Sequence, residues 1–406
     1  MNIKMNYIAI LAFLFLISCE ETADKEEMNE ADAVIAEVSE KYAPDKRIAL
    51  FEVEAVKNGD SYVLKGESNM PEAVDDLKNK MQAENLQFKD SIRLLPNEKV
   101  LEGKTRGVVK ISVANIRDEP KHAAQLVTQA TMGMPLKVYK KEGDWYYIQT
   151  PDAYLGWVDS GGIVHKTEEE FSNWKSVEKV IYLNPFGSSY ETADNSSQSV
   201  SDLVAGDILE LLSEEQDFYK VKYPDGKEAF IAKAEAQPYQ QWLSSLEMSR
   251  EDLVETSKKL MGLPYLWGGT SPKGVDCSGF TKTVYFLNGI VIPRDASQQV
   301  HTGKLIDSTR NFQNLIPGDL LFFGRPATDS TSERVVHVGM WMGDNKFIHS
   351  MGDVHISTMD STASDFDEYN YKRYLRSKRL FNEQDKNLLY LKQNDIFTNA
   401  SEDSVE

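Results

Sequence analysis

Cys277 has the strongest claim to chemistry in this chain. It stands in Gly274-Val275-Asp276-Cys277-Ser278-Gly279-Phe280, and the following Thr281-Lys282-Thr283-Val284-Tyr285-Phe286-Leu287 spaces its apolar residues as a helix does. That spacing predicts a helix N-terminus at or near Cys277, where unpaired backbone N–H groups and the positive dipole end favour thiolate over thiol. A cysteine on its own is more often an inert buried residue, so a nucleophilic role requires a base nearby. Arg334-Val335-Val336-His337-Val338-Gly339-Met340-Trp341 alternates as a strand, with His337 on the face of Val335 and Gly339. The small Gly339 leaves room there for a substrate or another backbone. Across the turn Gly343-Asp344-Asn345, Lys346-Phe347-Ile348-His349-Ser350 predicts a second strand that brings His349 beside His337. Nucleophile, base and an orienting third group are the parts of a catalytic triad.

Four motifs in order, Asp276-Cys277-Ser278-Gly279-Phe280, Pro317-Gly318-Asp319-Leu320-Leu321-Phe322-Phe323, His337-Val338-Gly339-Met340-Trp341 and Ile348-His349, resemble the NlpC/p60 family of cell-wall cysteine peptidases. The resemblance implies a papain-like α+β domain with Cys277 as nucleophile, His337 as base and His349 as the orienting residue. It also implies cleavage of peptidoglycan stem peptides between γ-D-glutamyl and a diamino acid. The chain is similar in particular to members of the dipeptidyl-peptidase VI type, which carry Src-homology-3-like (SH3-like) domains and act on muropeptides with a free N-terminal L-alanine. By that resemblance Tyr154, Asp276 and Ser278 close the pocket around the substrate's N-terminus. Asp295 matches an Asp-Ser pair of such enzymes, with Ala296 in place of the serine. Tyr265 and Trp267, in Leu263-Pro264-Tyr265-Leu266-Trp267, precede the cysteine at a family position. Tyr265 is expected to line the site or help hold the oxyanion, for which backbone N–H groups at the helix start are the expected donors. Asp276 is expected to pair with the substrate's ammonium group.

These residues need elements to position them. From about Thr105 to Lys166 short strands recur, with Val108–Val113, Leu136–Tyr139, Trp145–Gln149 and Tyr154–Val158 as the candidates, which predicts a small β-barrel. A weaker copy follows over about 175–240, in which Ala205–Leu212 matches Met132–Tyr139 and Phe218–Gly226 parallels Trp145–Asp152. Both resemble bacterial SH3-like domains. Residues 249–381 are the expected peptidase domain, opening on a helix from Ser249 to Leu260 with Asp252 in its capping pattern. Residues 33–104 form a small α/β unit without a chemical motif, with a strand over Arg47–Val56, a partner over Ser61–Glu67 and a helix from Pro71 to about Met81. Residues 382–406 read as a polar tail.

The N-terminus carries a different signal. Lys4 precedes an apolar run from Ile8 to Ile17, too short for a membrane span of about 20 residues. Residues 1–18 therefore predict a secretory signal peptide. Leu16-Ile17-Ser18-Cys19 resembles a lipoprotein lipobox, with Cys19 as the acylated residue and the acidic residues 19–32 as a tether. An exported, membrane-anchored lipoprotein in the periplasm or at the cell surface is the expectation.

The 406 residues carry 64 acidic and 45 basic side chains, a formal charge of -19, which argues against nucleic-acid binding as the main task. Two cysteines in such different contexts exclude a disulfide scaffold. The histidines show no helical metal-ligand pair, so no metal or cofactor is expected, and His122, His165, His301 and His355 read as surface residues. Expected partners are peptidoglycan peptide fragments and, through the lipid, a membrane, with no protein partner. Two alternatives remain for function: acyl transfer or cleavage of another amide, and a non-catalytic wall-binding lipoprotein.

Overall fold

The computed structural model describes residues 29–399 apart from Met248. The signal segment, Cys19, the tether up to residue 28 and residues 400–406 lie outside the described residues.

The first helix, Glu30–Tyr42, starts inside the segment read as tether. Its acidic residues are the reason: Asn29 accepts the Asp32 N–H at 2.9 Å, Asp32 returns the bond, and Glu30 and Asp32 face the positive dipole end. Ala31, Val34 and Val38 bury its apolar face. The strand expected from Arg47 begins only at Phe51, because residues 45–48 turn, with Ile48 N–H on the Asp45 carbonyl. Phe51–Asn58 pairs antiparallel with Ser61–Ser68, and after the helix Pro71–Ala83 the strand Phe88–Leu94 joins in parallel. That third strand is mostly exposed and has no clear alternation, so it escaped the sequence pattern.

Two seven-stranded sheets follow. In the first the order is Ile163–Lys166, Arg106–Val109, Pro135–Glu142, Trp145–Gln149, Leu155–Asp159, Val113–Arg117 and Leu126–Thr131. The second repeats it with Ala236–Pro238, Lys179–Tyr182, Ile208–Glu215, Phe218–Lys222, Glu228–Ala232, Phe186–Tyr190 and Ser199–Val204. The stretch Val108–Val113, expected as one strand, is broken at residues 110–112 into two that run in different parts of the barrel. The barrels meet corner to corner, where Met132 N–H reaches buried Asp207 and Ile208 N–H reaches the Met132 carbonyl.

The C-terminal domain opens on the helix Arg250–Lys259, capped by Ser249 and Asp252. Helix Cys277–Phe286 packs on a six-stranded antiparallel sheet. Its order is Lys304–Asp307, Tyr374–Arg379, Leu320–Arg325, Arg334–Gly343, Lys346–Met351 and Asp353–Thr358. Phe280 and Val284 on the helix meet Phe322, Val338, Met340 and Ile348 on the sheet. Each such side chain, fully buried, stabilises by about 1.5–3 kcal/mol. The expected polar tail is packed as far as it is described. Leu389–Tyr390 pairs with Ile290–Val291, while Leu391 and Phe397 are buried. A few apolar anchors in a polar stretch suffice. They join a cluster shared by all the modules except the N-terminal unit, with Val108, Phe171, Trp174, Ile208, Trp242 and Phe286 among its members.

Candidate active site

Cys277 is the first residue of its helix, and Asp276 is the N-cap whose side chain accepts the Gly279 N–H at 2.7 Å. The helix therefore begins where the motif predicts, and the sulfur meets the backbone N–H groups of Val338 and Ser278. Val338 follows His337 on the strand Arg334–Gly343, so the fold brings nucleophile and base to one place. The His337 Nε2 lies 2.8 Å from Nδ1 of His349, and His349 Nε2 lies 3.0 Å from the Ser357 hydroxyl. His337 Nδ1 is thereby left for the cysteine. With each ring protonated at Nε2, the line runs as donor to acceptor from His337 through His349 to Ser357.

The electrostatics differ from the expected thiolate. Burial pushes the Cys277 thiol up to about 12, and the neighbouring Asp276 adds to it, with the Val338 N–H opposing. Burial drives His337 well below the ordinary histidine value, His349 contributing in the same direction. His349 is lowered to about 3, first by burial and then by His355. The resting pair is thus neutral thiol and neutral imidazole, because desolvation outweighs the helix-terminal N–H groups. A neutral imidazole is what a general base must be.

Asp276 is not a free carboxylate awaiting an ammonium. Arg294, 1% exposed, binds it with Nη1 at 3.1 Å from Oδ1 and Nη2 at 2.6 Å from Oδ2. Gly268 N–H takes Oδ2 at 2.9 Å as well. Ser278 lies within this group, its hydroxyl accepting from Arg294 at 3.0 Å and donating to Asp276 at 3.3 Å. Asp276 and Arg294 are 18 residues apart in sequence, and nothing in the pattern marks the pair.

Asp295 lies beside this group, with Arg294 Nη1 3.9 Å from its Oδ1. Tyr154 from the first barrel donates to its Oδ2 at 3.0 Å, which unites two of the residues expected around the substrate's N-terminus. Tyr265 is half-buried beside Cys277, and burial first, then Cys277, raises its hydroxyl, so it stays a proton donor. Trp267 is 63% exposed rather than core, on the loop leading to Asp276. The room at Gly339 is used by the neighbouring strand and not by open space for a substrate, since a Cβ there would lie 2.7 Å from Phe347, 3.1 Å from His349 and 3.3 Å from the Ile348 carbonyl. His355, expected at the surface, holds its half-buried ring 4.4 Å from that of His349, tilted by 59°, and bonds Asp353. Arg294, Ser357 and His355 are the residues the sequence did not disclose.

Barrel one also grips the loop before the nucleophile. Gln129 and Thr270 exchange bonds of 2.9 to 3.0 Å, and Ser271 donates to Gln129 at 2.9 Å. Gly268, at φ +81°, lets the Leu126 carbonyl approach to where a Cβ would be only 2.3 Å away. Among the described residues no group of three or more His, Cys, Asp or Glu is placed to hold a metal.

Residues 262–378 match the NlpC/P60 family, and residues 116–163 match the bacterial dipeptidyl-peptidase Sh3 domain. A γ-D-glutamyl-L-lysine dipeptidyl-peptidase of Bacillus cereus is 35% identical over 243 residues, 56% of this chain and 68% of that one. The chain belongs to the NlpC/P60 family. A Bacillus subtilis protein of the same name is 30% identical over 231 residues, 55% of this chain and 71% of that one. Dipeptidyl-peptidase 6 of Lysinibacillus sphaericus is 27% identical over 270 residues, 62% and 91% respectively. The crystal structure of an NlpC/P60 family protein from Bacillus cereus superposes with a TM-score of 0.58 at 27% identity, covering 68% of this chain and 99% of that one. The family is one of cell-wall peptidases, and the α+β fold with SH3-like domains agrees with it.

Proposed function

We propose that this protein is a cysteine peptidase that hydrolyses the γ-D-glutamyl–diamino acid bond of short peptidoglycan peptides bearing a free N-terminal L-alanine. The observation that carries it is the His337–His349–Ser357 line beside Cys277, whose sulfur meets the Val338 N–H, with Asp295 and Tyr154 across Arg294 from Asp276. His337 Nδ1 takes the thiol proton as the sulfur attacks the γ-carbonyl carbon. Backbone N–H groups at the start of the helix and the Tyr265 hydroxyl hold the oxyanion. The imidazolium returns its proton to the leaving amine, and His349 with Ser357 keeps the ring oriented. Water, deprotonated by the same imidazole, then cleaves the thioester and frees the L-Ala-γ-D-Glu dipeptide. An ammonium beside Asp295 selects peptides whose N-terminus has been released, which suits turnover or recycling of wall fragments. Hydrolysis of L-Ala-γ-D-Glu-diaminopimelate by the wild type and its loss in Cys277→Ala is the test, and full activity in that variant would overturn the assignment.

We also propose that Cys19 is acylated after removal of residues 1–18, tethering the enzyme to a membrane outside the cytoplasm. The support is the apolar run from Ile8 followed by Leu16-Ile17-Ser18-Cys19. Cys19→Ser should move the protein from the membrane fraction to the soluble one.

A further inference from the structure

The N-terminal unit reaches Asp295 through one side chain. Arg47 donates from Nη1 to Asp295 Oδ2 at 2.7 Å and to the Ser297 hydroxyl at 2.9 Å. Its other edge is held by Asp45, with Nε to Oδ1 and Nη2 to Oδ2 both at 2.8 Å, and Asp45 is fixed in turn by Gln298 at 2.8 Å. The backbone is tied down as well, since Leu155 N–H donates to the Arg47 carbonyl at 2.7 Å. The guanidinium is thus oriented before any substrate arrives.

Arg47 and the Tyr154 hydroxyl occupy the same oxygen of Asp295, Oδ2. Among the described residues the other, Oδ1, accepts no side-chain hydrogen bond; Arg294 Nη1 lies 3.9 Å from it, and the Asp295 side chain also faces the Gln298 N–H in a capping box. Asp45, Arg47, Asp295, Arg294 and Asp276 form a continuous chain of alternating charge. Three carboxylates stand against two guanidiniums, so one negative charge is unmatched. That residue of charge and the open oxygen suit a single cation.

We propose that Arg47 is a positioning residue for substrate selection: with Asp45 it turns Asp295 so that Oδ1 faces the α-ammonium of the incoming peptide, making the N-terminal unit the third wall of the amine subsite. This rests on the free-amine substrate proposed above. The unit is then no spacer. It sets which peptides are accepted, while Cys277 and His337 set the rate of bond cleavage.

The test compares the free tripeptide with its N-acetyl form on wild type, Arg47→Gln and Arg47→Lys. In Arg47→Gln the KM for the free tripeptide should rise about tenfold with kcat within about twofold, and the preference for free over acetylated peptide should shrink in proportion. Arg47→Lys, which keeps a cation near Asp295, should recover much of that preference. An unchanged preference in Arg47→Gln overturns the role of Arg47 and leaves the free-amine reading standing. A lower KM in that variant overturns it too, since the guanidinium would then be competing with the substrate. A wild type that cleaves both peptides equally overturns the free-amine reading itself.

Discussion

The two barrels carry the same turn and use it differently. In the first, Gln149 pairs with Leu155 across Thr150-Pro151-Asp152-Ala153-Tyr154, and in the second Lys222 pairs with Glu228 across Tyr223-Pro224-Asp225-Gly226-Lys227. The backbone bonds match, Ala153 N–H to Thr150 and Gly226 N–H to Tyr223, both at 2.9 Å. Asp152, however, is buried on the catalytic helix, 2.7 Å from Lys282, and Tyr154 lies on Asp295. Asp225 pairs at 3.1 Å with its own neighbour Lys227, which is 65% exposed. One turn has become a wall of the active site and the other has stayed a turn. What separates them is the surface each meets, since the local geometry is common to both.

The largest effect should come from the buried pair. Asp152→Ala leaves the Lys282 ammonium, already lowered by burial, without its partner, and should cost about 3–5 kcal/mol in urea denaturation. Asp225→Ala should stay within about 0.5 kcal/mol. Equal losses at the two sites would break the contrast.

A second contrast sets the catalytic sheet against a barrel face. His337 and His349 titrate below their unfolded value, so between about pH 6.5 and the folded values the unfolded chain binds more protons. Stability from these two groups is present above about pH 6.5 and is lost as the pH falls toward about 3, where His349 itself protonates. Melting temperature followed from pH 7.5 to 4.5 should fall less steeply in His349→Gln, whereas His165→Gln, at a half-buried barrel position where burial also lowers the ring, should flatten the slope less. An identical slope in all three proteins would remove the burial argument.

Tyr154→Phe deletes one bond to a carboxylate and should raise KM for the free tripeptide about tenfold, with kcat nearly unchanged. Lys227→Ala, at the matching place in the second barrel, should change neither constant. The smallest expected effects concern the turn itself. Ala153 holds φ +64° where its counterpart is Gly226 at φ +94°. Ala153→Gly should therefore stabilise by up to about 1 kcal/mol and Gly226→Ala destabilise by about as much, since a Cβ at 226 meets open space and pays only for backbone conformation. Opposite signs sharpen the comparison, while like signs would mean the turns differ after all.

Cys277, His337 and His349 were legible because nucleophile and bases are scarce residue types whose local patterns, a helix start and two alternating strands, fix their positions. Tyr154 and Asp295 were named through resemblance alone, and only the fold shows that they bond one another. The role of Asp276 was not, because it is set by Arg294, a residue whose burial only the folded chain reveals. Arg47 lies 248 residues from Asp295 in sequence, and no local period can register such a contact. The twin barrels were visible as a weak repeat, but the break at residues 110–112 was not, since Val108 to Val113 is apolar enough to read as one strand. The stretch beyond 382 looked polar because its anchors are few and widely spaced.

The cluster that gathers Val108, Trp174, Ile208, Trp242, Phe286 and Phe397 has no single owner. Excising the peptidase portion would leave a greasy scar where Phe286 now sits among its neighbours, inviting self-association. Modules that share a core surrender it together, so scanning calorimetry should record one endotherm across the barrels and the catalytic domain in place of a staircase.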